Sequence, residues 1–184
     1  MPLSRMTEQE LEDIIRRGER ILSITFSPET IRYILQLCDR FPYYLHLLAT
    51  NSAKHALARG GVMVTMDDLI SGIAVAASDA DQSLRDVYNH AILSVKQSEI
   101  YRRVIWAMAS LDGAANLVRD IANGVNAIAT QESAPHVSIQ AVGTALVTLK
   151  SESKRNILMT RTQGFNSFSN PLMKGFVRLI RAQQ

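Results

Sequence analysis

The chain has 184 residues, 47% of them apolar and 20% charged, a composition that excludes a disordered or collagen-like protein. That length suits one large domain or two of about 80 to 100 residues. Its net charge of +3 divides unevenly: residues 1–82 carry eight basic and eleven acidic side chains, a net of −3, and residues 83–184 carry twelve and six, a net of +6. Such asymmetry points either to a localised contact with a polyanion such as nucleic acid, or simply to two domains with ordinary surfaces. No run of about 18 apolar residues is present, so no membrane-spanning helix is expected. The polar start, Met1 to Arg20, is not that of a secretory signal. The single cysteine, Cys38, excludes an internal disulfide, and a cytoplasmic location is expected.

Helix starts are well marked in the first half. Thr7-Glu8-Gln9-Glu10 reads as a capping box, opening a helix with Leu11, Ile14, Ile15, Ile21 and Leu22 roughly on one face. Ser27-Pro28 opens a second helix, striped by Ile31, Ile34, Leu35 and Cys38. Pro42 opens a third, which stops at Gly60-Gly61, and Thr65 a fourth through Leu69, Ile73 and Ala76. Four helices with short loops predict a compact bundle over residues 1–80.

A helix from about Asp81 through Ile92 either joins the halves or belongs to the second. Ile100–Leu111, containing Trp106, and Leu117–Ile128 are two further helices, and Ser138 caps one striped by Ile139, Val142, Leu146 and Leu149. Asn156–Thr160 is the one clear strand, Arg161–Gly164 a turn, Phe165–Phe168 a return strand, and Asn170-Pro171 opens the last helix. Three helices followed by a hairpin are the parts of a winged helix, assigned to residues 81–184. The expected fold is therefore mainly α: a four-helix, lid-like bundle, then a winged helix with a small β-hairpin.

No phosphate-binding G-x-x-x-x-G-K-[ST] loop, G-x-S-x-G elbow or zinc-ligand spacing occurs. No catalytic residue, metal site or cofactor is assigned to this chain. His46 and His55 lie nine apart with no third ligand marked, and Asp67-Asp68 is explained by its place at a helix start.

The order of bundle then winged helix, with the segments Cys38-Asp39-Arg40-Phe41-Pro42-Tyr43-Tyr44-Leu45-His46-Leu47-Leu48 and Ser167-Phe168-Ser169-Asn170-Pro171-Leu172-Met173, resembles the C-terminal half of AAA+-type P-loop ATPases. It is most similar to bacterial proteins of the STAND and origin-initiator-like groups. The resemblance implies a nucleotide-binding α/β domain, absent from this chain, which would bind ATP and magnesium. It places Arg40, Pro42 and Tyr43 near the nucleotide. Pro42 matches the proline of the lid's G-x-P turn, Arg40 replaces the glycine, and Tyr43 or Tyr44 stands where initiator-type relatives carry a sensing arginine.

If the winged helix meets duplex DNA, its third helix offers Gln140, Thr144 and Thr148 to base edges, while Lys150, Lys154, Arg155 and Arg161 would hold phosphates. The same positions suit solvated faces of a protein-docking domain. The resemblance implies a non-catalytic regulatory and recognition fragment. The alternatives are a standalone DNA-binding regulator and a pure protein-interaction module.

Overall fold

The computed structural model of the chain describes residues 5–93, 97–162 and 164–183. It is mainly α, as the periodicity predicts, with a two-stranded and a three-stranded sheet among the described residues. Contacts divide it into two units: Met1–Ala80 with Arg178–Gln184, and Asp81–Val177.

In the first unit, α1 (Glu8–Leu22) starts where the capping box requires. The Thr7 backbone N–H and hydroxyl each donate to the Glu10 carboxylate at 2.8 Å, satisfying groups that a helix start leaves unpaired. Leu11 and Ile15 are buried, but Ile21 and Leu22, expected on the same stripe, are 80% and 52% exposed. Both lie in the last turn of the helix, just before the left-handed Ser23 (φ 54°). In α2 (Pro28–Leu37), the Ser27 hydroxyl accepts from the Thr30 N–H at 3.2 Å, and Ile31, Ile34 and Leu37 are buried. α3 (Pro42–Ala58) and α4 (Met66–Asp79) pack closely: a Cβ on Gly72 would lie 2.8 Å from the Ser52 backbone nitrogen, so only glycine fits. Periodicity gives no warning of a parallel pair, β1 (Thr25–Phe26) and β2 (Met63–Val64), with Thr25 opposite Met63. Two residues per strand are too few to show alternation.

The second unit begins with α5 (Gln82–Ile92) and α6 (Ser98–Ser110). Trp106 of α6 donates its indole N–H to the Tyr88 hydroxyl at 3.0 Å, and the Tyr88 ring meets Phe176 edge-on. β3 (Asn116–Leu117) and α7 (Val118–Gln131) follow. α7 packs so tightly on α6 that a Cβ on Gly124 would lie 3.0 Å from that of Ala107. Next come α8 (Ile139–Leu149), a 3₁₀ turn (Glu152–Lys154), the strands β4 (Leu158–Thr162) and β5 (Phe165–Phe168), and α9 (Met173–Arg181). The three-stranded sheet is antiparallel in the order β3-β5-β4. The second unit thus runs helix, helix, strand, helix, helix and then a hairpin, with β5 of the hairpin paired to both β3 and β4.

The last helix starts at Met173 rather than at Asn170-Pro171, and three boundaries of the three-stranded sheet differ from the sequence expectation. Leu117 is strand rather than helix, because Asn116 and Leu117 pair with Asn166 and Phe165. β4 starts at Leu158, not Asn156, because Arg155 and Asn156 are both left-handed (φ 53° and 47°) and cannot extend a strand. Arg161 and Thr162 belong to β4 rather than to the turn, since Thr162 pairs with Phe165 across Gly164 at φ 82°. Gln163 of that turn lies outside the described residues. Residues 178–184, expected in the second domain, group with the first unit: Arg178 donates to the Gln36 carbonyl at 2.7 Å and lies 3.4 Å from the Asp39 carboxylate.

Candidate recognition surface

α8 is held by Ser138, whose hydroxyl accepts from the Ala141 N–H at 3.1 Å, and by a buried stripe of Val142, Ala145, Leu146 and Leu149. Its other face holds Ile139, expected on the apolar stripe but 53% exposed, with Gln140, Thr144 and Val147 (66% exposed), and Gly143 leaves open space beside them. None of the eleven residues of α8 is charged. The Thr144 and Thr148 hydroxyls donate back to the carbonyls of Gln140 and Thr144 at 3.1 and 3.2 Å. Their protons are thus committed within the helix, leaving only lone pairs for a partner. Gln140 is exposed; Thr148 is half-buried.

The four cations assigned to the same surface separate in the structure. Arg155, just past the 3₁₀ turn, and Arg161, on β4, are exposed. Lys150 is half-buried, its ammonium donating to the Thr160 hydroxyl at 3.1 Å and the Asn166 side-chain oxygen at 3.2 Å, which ties the end of α8 to both hairpin strands. Lys154 is not at the surface. It is 8% exposed, with its ammonium on the Leu93 carbonyl and 4.9 Å over the Tyr101 ring, so it leaves the set of phosphate contacts. Lys174 of α9 is also buried and donates to the carbonyls of Leu111 and Gly113 at 2.6 and 2.9 Å. Which carbonyls the two lysines reach depends on tertiary packing.

The charge asymmetry shrinks when counted over the structural units. The first holds ten basic and ten acidic residues and is neutral; the second holds ten and seven, a net of +3. Of those ten cations, Lys154 and Lys174 are buried, while Arg102 and Arg103 pair with Glu132 at 3.1 and 2.7 Å.

In the first unit, Arg40, Pro42 and Tyr43 lie on the turn between α2 and α3. Asp39 and Arg40 are successive left-handed residues (φ 49° and 64°). Arg5 bonds the buried Asp39 carboxylate at 2.7 Å and covers the Phe41 ring at 5.4 Å, and the Met6 N–H donates to the Arg40 carbonyl at 2.9 Å. Pro42 takes the first position of α3, where a missing N–H costs nothing. Arg40 is exposed; Pro42 and Tyr43 are half-buried, with Tyr43 edge-on to Tyr44. This turn is adjacent to Cys38, whose thiol is buried completely and pushed up to about 11 by desolvation.

A surface depression lies at the opposite end of α3, lined by His55, Ala58, Arg59, Thr65, Asp67, Asp68 and Ser71. Asp68 stands in the first turn of α4, as expected, and is buried there, 4% exposed. Arg59 grips its carboxylate with two N–H groups at 2.9 and 2.7 Å, and the Thr65 N–H and hydroxyl each donate at 2.8 Å. Chiefly through Arg59, this holds Asp68 well below the usual carboxylate range. A carboxylate that stays ionised with its lone pairs taken is a helix cap, not a general base. Among the described residues no three His, Cys, Asp or Glu side chains converge as metal ligands, and no helix is long and apolar enough to cross a membrane.

No family model, curated protein or solved structure matches the chain. The second unit presents an uncharged helix face with two exposed arginines near it in the chain, and in the first unit the buried Asp39 and Asp68 are matched within the fold.

Proposed function

We propose that this chain is a non-catalytic recognition module, the lid-like and winged-helix portion of a P-loop ATPase, and that α8 docks on a protein partner. The observation that carries the docking reading is the uncharged exposed face of α8, where Ile139 and Val147 flank Gln140, Gly143 and Thr144. Affinity for duplex DNA comes mostly from cations set against phosphates, and that face supplies none. It suits a protein surface that covers two aliphatic side chains and pairs with one amide. The ATPase part of the reading rests on the resemblance of the Cys38–Leu48 and Ser167–Met173 segments. In it, Arg40, Pro42 and Tyr43 face nucleotide held by a separate domain. A reducing, cytoplasmic setting accords with the single buried thiol of Cys38.

The DNA reading retains one supporting observation, the exposure of Arg155 and Arg161 beyond the end of α8. Fluorescence anisotropy of labelled duplex DNA, titrated with the purified chain from low to physiological salt, separates the two. We expect no saturable binding at physiological salt. A log–log salt slope of several ions, reduced by Arg155→Ala and Arg161→Ala, would replace the protein partner with DNA. The isolated chain is also expected to hydrolyse no ATP above a buffer blank.

A further inference from the structure

We draw no further inference here: the strongest candidate, the exposed apolar rim of Ile21, Leu22, Val62 and Met63 beside the β1–β2 pair of the first unit, carries nothing because nothing in the structure shows what covers it.

Discussion

The two units bury charge in opposite ways. In the first, carboxylates go inside and collect donors: Asp68 gathers Arg59 and the N–H at the start of α4, and Asp39 gathers Arg5. In the second, ammonium groups go inside and collect carbonyls at helix ends: Lys154 takes that of Leu93, after α5, and Lys174 takes those of Leu111 and Gly113, after α6. For Asp68 and the two lysines the cause is the same, whereas Asp39 is held by the guanidinium groups of Arg5 and Arg178. A helix leaves N–H groups unpaired at its start and carbonyls unpaired at its end, so an acid serves one terminus and a base the other. A unit that caps starts spends acids in its interior, and one that caps ends spends bases. A count of charges along the chain therefore misstates the surface in both.

Removing the caps sharpens that contrast. The largest loss is expected for Lys174→Met, which removes two charge-assisted hydrogen bonds, to the carbonyls of Leu111 and Gly113, and costs about 3 kcal/mol, read as a lower denaturation midpoint followed by Trp106 fluorescence. Asp68→Asn comes next at about 2 kcal/mol, because Arg59 can turn to solvent while only part of the cap is lost. It also carries a pH signature. Asp68 titrates lower in the folded chain than its ordinary value of 3.8, so its contribution is complete above that value and fades as pH falls below it. The wild-type chain should lose stability on acidification in that range, and Asp68→Asn should flatten the profile. An unchanged acid profile would mean that Asp68 does not hold its charge in the fold. Trp106→Phe, followed by far-UV circular dichroism because it removes the only tryptophan, is smaller again, about 1 kcal/mol, since one buried hydrogen bond to Tyr88 is lost while the ring packing largely remains. Ile139→Gln and Val147→Gln should change stability least, by less than about 0.5 kcal/mol, because both side chains are exposed. If either lowers the midpoint more than Trp106→Phe does, α8 is part of the core and not a docking face.

Much of the fold is legible in the sequence because helix caps are local. Thr7, Ser27 and Ser138 cap the helices where they are expected, and Val142, Leu146 and Leu149 are buried as their spacing predicts. What escapes is non-local. β1, β2 and β3 are two residues each and exist only through partners about 40 or 50 positions away. The site is less legible than the fold. Gln140, Thr144, Arg155 and Arg161 are exposed, whereas Lys154 turns inward to a carbonyl 61 residues earlier in the chain. Nothing in the local pattern around Lys154 distinguishes a phosphate contact from a helix cap. The absence of charge from α8, by contrast, is plain in its eleven residues, and it says more about the partner than the net charge does.

The lone tryptophan and the lone cysteine fall in different units. Trp106 is buried in the second and Cys38 in the first, each with its side chain closed to water. The chain thus carries an intrinsic optical reporter for one unit and a chemical one for the other. Indole emission during denaturation follows one, and the rate of thiol labelling follows the other. Coincident transitions would make the two units a single cooperative block, and separated ones would give each its own stability without a label or a truncation.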